Sequence, residues 1–195
     1  MYISIYHKLK KDFIMLNNVT IEFMSETKVK NIEDKLRDLL NVVDYEFVPS
    51  LSSRDGTTQT SLSSSEKTLE LDSYFQGMLE QINIVILSND NLLGFVSFRH
   101  DYNVESLSDY SPCTYLSTIA VNPRFRGEKV ATKLYDFMIN EVPKKYPSKY
   151  LVTRTWSTNE IHIKLLKNLN FNLVKTVDNQ RGGGIDTVYY ALNQI

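Results

Sequence analysis

One cysteine, Cys113, stands in a chain of 195 residues. An internal disulfide is therefore impossible, and a cysteine-rich metal site is excluded. Histidine is as scarce: His7, His100 and His162 lie far apart with no ligand-like spacing, so no metal site is expected. No sign of charge prevails, because 22 Lys and Arg face 23 Asp and Glu. Nucleic-acid phosphates usually demand a basic face, so this balance argues against such a partner. No apolar run approaches the length of a membrane span. The first residues lack the apolar core and cleavage site of a secretory signal. The expectation is a cytoplasmic protein with no membrane partner.

What remains is an ordinary globular composition, 42% hydrophobic and 23% charged, long enough to bury a real core. Residues 1–17 read as an N-terminal extension without chemistry, and residues 18–195 as a single domain. Val19 to Met24 is β-rich. Val29 to Leu40 sets Val29, Ile32, Leu36, Leu39 and Leu40 at helical spacing. Pro49 to Thr68 is dominated by Ser, Thr, Asp and Gly and reads as loop, and Leu71 to Leu79 as a short helix. Ile82 to Leu87 and Leu92 to Phe98 form a hairpin. Tyr115 to Val121 is a strand, followed by a helix from about Gly127 to Val142 that Pro143 ends. Its buried stripe is Val130, Leu134, Phe137, Met138 and Ile139. Tyr150 to Trp156 is a strand and Asn159 to Leu169 a helix. Phe171 to Val177 and Ile185 to Leu192 close the domain. The order β-α-α-β-β-β-α-β-α-β-β predicts an α/β fold, a mixed sheet with helices on both faces.

The sharpest local signal spans residues 116–135, a buried strand, a turn at Pro123 and a helix opening at Arg126-Gly127. A helix start leaves backbone N–H groups unpaired and carries partial positive charge, a natural seat for a pyrophosphate. Gly127 lets a ligand approach the backbone, and Arg126 adds a positive charge. The stretch resembles the acyl-CoA signature of the GNAT family of N-acetyltransferases, Val-x-Pro-x-x-Arg-Gly-x-Gly-x-Ala. Val121, Pro123, Arg126, Gly127, Val130 and Ala131 match. Lys129 stands where that family shows a second glycine, admissible if the residue already has helical φ < 0.

The resemblance implies that the amides of Arg126, Gly127, Glu128, Lys129, Val130 and Ala131 hold the pyrophosphate. It also implies that the edge of Ile119, Ala120 and Val121 pairs with the pantetheine arm. A backbone N–H near Ile119 would face the developing oxyanion. Residues 157–171 resemble a second family segment, with Asn159 at the asparagine that touches the CoA arm and Asn170-Phe171 replacing Gly-Phe. Ser157 and Glu160 form a plausible capping box, and Ile161, Leu165 and Leu169 a core stripe. Leu166 occupies the position of the tyrosine that protonates the departing thiolate.

The expected activity is therefore transfer of an acetyl group from acetyl-CoA to a primary amine, by direct attack in a ternary complex. The alternative is a catalytically impaired CoA-binding sensor or partner protein. No catalytic residue is assigned; Tyr115, His162 and Tyr189 are weak candidates, with Asp186 and Tyr190 nearby in sequence. No carboxylate lies between Thr114 and Val121 to act as base, and nothing activates Cys113 as an acyl carrier. Acceptor specificity is expected from the loop Ser50 to Thr68, with Arg54 and Asp55, and from the glycine loop Arg181 to Gly184. The acceptor stays open, as does the oligomeric state, a homodimer being one option.

Overall fold

A computed structural model describes residues 18–24, 26–54 and 71–194. Residues 1–17 and the greater part of the Ser50–Thr68 loop, Asp55 included, lie outside the described residues. The elements run β1 (Val19–Phe23), α1 (Glu26–Val43), α2 (Leu71–Leu79), β2 (Ile82–Ser88), β3 (Asn91–Tyr102) and β4 (Cys113–Val121). They continue as α3 (Val130–Asn140), α4 (Val142–Lys145), β5 (Tyr150–Trp156), α5 (Glu160–Asn168), β6 (Asn172–Val177) and β7 (Thr187–Asn193). The expected order holds, with one short helix added. Pro143 sits in the first turn of α4 instead of ending α3, where its missing N–H costs no bond.

The seven strands form one sheet in the order β1-β2-β3-β4-β5-β7-β6. All pairs are antiparallel except β4 with β5, which run parallel. Period-2 alternation sends successive side chains to opposite faces. On one face Ile84, Ile86, Val96, Phe98, Leu116 and Leu151 pack under Leu134, Tyr135 and Met138 of α3 and Leu166 of α5. On the other, Val85, Phe95 and Ala120 pack under Leu36 and Leu40 of α1 and Phe75 and Met78 of α2. Both helix layers follow from stripes at helical spacing. In α3, however, Tyr135 is fully buried while Phe137 and Ile139 are only partly so.

Two irregularities in β4 position the site. Its parallel pairing with β5 covers only Thr114–Leu151, Tyr115–Val152 and Leu116–Thr153, whereas its pairing with β3 runs on to Val121. Beyond Leu116 the strand is therefore bonded on one side only, and a cleft opens towards β5. A β-bulge sits at the same place: Ser97 pairs with Thr118 and Phe98 with Leu116, leaving Ser117 extra. The Ser117 hydroxyl donates to the Ser97 carbonyl at 3.0 Å and bonds Gln81.

Opposite the open stretch lies Gly94 of β3, paired with Val121. A Cβ there would stand 2.6 Å from the Ala120 carbonyl oxygen and 3.2 Å from a Val130 methyl. Backbone cannot yield as a flexible side chain can. Gly94→Ala should therefore cost about 1–3 kcal/mol in urea denaturation; an unchanged midpoint would show that β3 and β4 can part without penalty.

Candidate active site

The cleft between β4 and β5 is a cavity of about 720 Å³ that reaches from the β4–α3 turn to the loops over the opposite face. Its first wall is the open edge of β4. Asn122 donates its amide to the Leu93 carbonyl of β3 at 2.8 Å. By strand alternation the amides of Val121 and Ile119 then point the other way, into the cleft. Ile119, Ala120 and Val121 all line it.

At the far end of that edge the chain turns through Pro123–Phe125, a single 3-10 turn capped by the Asn122 side chain, which accepts from the Arg124 amide. The helix proper begins at Val130, three residues later than the sequence suggests, because Gly127 has φ +90 and Lys129 φ +58. Lys129 is thus not a first-turn residue with negative φ. It is the N-cap of α3 in the left-handed conformation, the reason a glycine suits this position. The amides of Arg126 and Glu128 fold back onto Pro123 and Phe125 at 3.4 Å each. Among the described residues, those of Gly127, Lys129, Val130, Ala131 and Thr132 find no backbone acceptor. A Cβ on Gly127 would meet nothing within 4 Å, so the space beside these donors is open. Arg126 is not a free charge: it ion-pairs with Glu46 at 2.5 Å across the cleft mouth. Glu128 does not line the cleft.

The second wall is β5 and α5. Asn159, rather than Ser157, caps α5, accepting from the His162 amide at 3.3 Å and donating to Thr155 Oγ1 at 3.1 Å. Ser157 instead exchanges hydrogen bonds with the backbone of Asp186, the residue before β7. The expected stripe is displaced by one residue at its centre: Leu166 is fully buried, while Ile161 is 87% exposed and lines the cleft. Leu166 therefore belongs to the core and does not line the cleft. Asn170, with φ 64, ends the helix as read from sequence, and Phe171 donates its amide to the Leu166 carbonyl.

Of the weak catalytic candidates, Tyr115 and His162 line the cleft and Tyr189 does not. Tyr115 is 6% exposed, and burial raises its phenol well above the ordinary range. His162 Nε2 lies 2.7 Å from the buried Tyr135 hydroxyl, a partner 27 residues away with no local signal in the chain. Burial pushes the imidazole down to about 4, so it is neutral at physiological pH. Cys113 is buried and its thiol is pushed up to about 12 by burial, which removes it as an acyl carrier. Asp186 precedes β7 and accepts from the Asn179 amide.

Sheet and cleft together have the architecture of the acyl-CoA N-acyltransferases. The family model described as "Acetyltransferase (GNAT) family" matches residues 53–171, and the chain belongs to that family. Among solved structures it is similar to an N-acetyltransferase from Staphylococcus aureus, at 20% identity and a TM-score of 0.63, covering 92% of this chain and 100% of that one. It is also similar to a Salmonella typhimurium protein solved with its cofactor acetyl-CoA, at 17% identity and a TM-score of 0.59, covering 92% and 95%. The ribosomal-protein-S18-alanine N-acetyltransferase of Escherichia coli gives 17% identity and a TM-score of 0.57, covering 90% and 94%. These likenesses show the fold. No curated protein is similar enough in sequence to stand as a relative. Among the described residues no group of His, Cys, Asp and Glu is arranged to hold a metal, and no helix is long and apolar enough to cross a membrane.

Two outcomes follow from this geometry. The folded His162 pKa lies below its unfolded value near 6.5, so the unfolded chain gains the proton first as pH falls. Stability conferred by this group is complete above pH 6.5 and is lost down to about pH 4, by of the order of 3 kcal/mol. His162→Asn should flatten that part of the stability–pH curve; identical slopes would place the imidazole in water. Lys129→Gly should relieve the left-handed strain and raise stability by about 0.5–1 kcal/mol, read from the urea midpoint.

Proposed function

We propose that the chain transfers an acetyl group from acetyl-CoA to a primary amine held in the same cleft, the amine attacking the thioester directly. The observation that carries this reading is the continuity of two donor sets: the outward amides of β4 and the unpaired amides of the turn before α3. A pyrophosphate needs clustered donors and positive potential, which residues 127 and 129–132 supply, aided by the Lys129 ammonium. A pantetheine arm carries amides that pair with an exposed strand edge, and Ile119 to Val121 present one. The open space at Gly127 and the volume of the cleft fit a cofactor of this shape.

Acetyl-CoA supplies an activated acyl group; the protein supplies orientation. The amide of Ile119 faces the region where negative charge develops on the carbonyl oxygen, and a fixed dipole there needs no reorganisation. Asn159, already fixed by Thr155 and the α5 amide, borders the arm's path. The departing thiolate has no tyrosine at position 166 to protonate it. A thiol pKa near ~8.5 makes that loss tolerable, because thiolate leaves without full proton transfer. The amine proton passes to solvent, since no carboxylate lies on the open stretch of β4. Leucine at position 166 and the lack of a carboxylate between Thr114 and Val121 favour the second reading, a CoA-binding protein without turnover. Release of free CoA in the presence of an amine panel decides between the two.

Gly127→Val places a branched side chain in the open space and strains a residue at φ +90. Acetyl-CoA affinity measured by calorimetry should fall at least about tenfold, with the cooperative urea transition retained. Unchanged affinity would move the pyrophosphate elsewhere.

A further inference from the structure

Behind the thioester region, on the sheet face covered by α1 and α2, the cleft ends in a group of guanidinium ions. Arg54 comes from the segment after α1, Arg154 from β5 and Arg181 from the loop before β7, and all three line the same cavity. Arg54 and Arg181 are only 8% and 6% exposed. Arg54 and Arg181 donate to neutral groups. Arg54 donates to the Pro49 carbonyl through Nε at 3.2 Å and Nη2 at 2.7 Å. Arg181 donates to Thr187 Oγ1 at 3.0 Å and to the Val48 carbonyl. Arg154 lies within 3.4 Å of the Tyr189 hydroxyl.

Among the described residues, neither Arg54 nor Arg181 ion-pairs with a carboxylate. The nearby acids are engaged elsewhere. Asp44 is bonded to the Ser52 amide and hydroxyl, and Glu46, the one acid among the described residues that lines the cleft, to Arg126. Aromatic rings complete the wall: Tyr74 and Phe47 near Arg54, and Trp156 5.8 Å from Arg181. The price of this arrangement shows in Arg181, which burial and the charges of Arg54 and Arg154 push down to about 9, still a cation at neutral pH.

Building on the acetyltransferase reading, we propose that the acceptor is an amine bearing a carboxylate or phosphate group, and that Arg54, Arg154 and Arg181 bind that anion. Strand alternation supports the placement. Arg154 and Tyr115 point to the face opposite Leu116 and Leu151, away from α3 and the turn that precedes it. The anion site and the pyrophosphate site therefore lie on different sides of the sheet, leaving the gap between β4 and β5 for the reacting amine. Planar guanidiniums bind oxyanions through paired N–H donors, and their discrimination against a neutral isostere is large when water is excluded.

Trp156, the single tryptophan of the chain, stands beside Arg181 and reports on this end of the cleft. Its fluorescence is followed in the CoA-loaded protein during titration with α-amino acids and aminoalkylphosphonates, each matched to its carboxamide or alcohol. The same compounds are tested for turnover with acetyl-CoA. Expected is a saturable response to an anionic amine at least about tenfold tighter than to its neutral partner. The carboxylate and phosphonate arms reveal which anion is preferred. Arg181→Gln and Arg54→Gln should abolish the preference, and Arg181→Lys should restore part of it, while calorimetric affinity for acetyl-CoA stays within about twofold. Equal binding of anionic and neutral amines, or no saturable response from either, overturns the proposal. Failure of acetyl-CoA to bind at all would instead defeat the acetyltransferase reading, so the two failures are told apart.

Discussion

Everything in the site depends on β4 losing its partner on one side. Parallel pairing with β5 stops at Leu116 and Thr153 although β4 continues to Val121. Unsatisfied backbone amides inside a protein carry a penalty unless something accepts from them. A sheet that parts in its middle is stable only where water or a ligand can enter. The fold accepts this local cost because β3 holds the other edge of β4, with both faces of the pair packed under helices.

The two ends of the gap are chemically distinct. Towards α3 the wall is backbone, with amides made available by two residues with positive φ, Gly127 and Lys129. Towards α1 and α2 it is side chains, with guanidiniums set among aromatic rings. A helix start can be recognised by any polyanion of the right reach, whereas a side-chain constellation selects one acceptor class. Division of this kind suits the proposed reaction, with one end of the gap for the donor and the other for the acceptor.

Much of the architecture was legible from the chain. Apolar alternation and helical stripes gave the order of strands and helices, and residues 116–135 read correctly as the strand, turn and helix that now border the cleft. What sequence could not deliver is where strands stop pairing: nothing in Tyr115-Leu116-Ser117-Thr118 announces a bulge, because bulges follow from the register of the neighbouring strand. The left-handed Lys129 could have been inferred, since a lysine in a glycine's place inherits the backbone that the glycine served. The stripe of α5 was misjudged at its start: periodicity placed Ile161 in the core, but the structure leaves it exposed and buries Leu166 instead. Arg54 and Arg181 were noted only as members of two separate loops. Their meeting with Arg154 is a tertiary event with no local signature.

The extra residue at Ser117 acts as a change of parity. Before it, odd-numbered side chains of β4 face the α1–α2 layer; after it, even-numbered ones do, so Tyr115 and Thr118 share a side and Thr118 meets the Tyr74 hydroxyl at 2.7 Å. Removing Ser117 would set Leu116 and Thr118 side by side opposite Phe98 and Ser97, so every side chain of β4 would keep its face and only the local kink of the bulge and the Ser117 bonds to Ser97 and Gln81 would be lost.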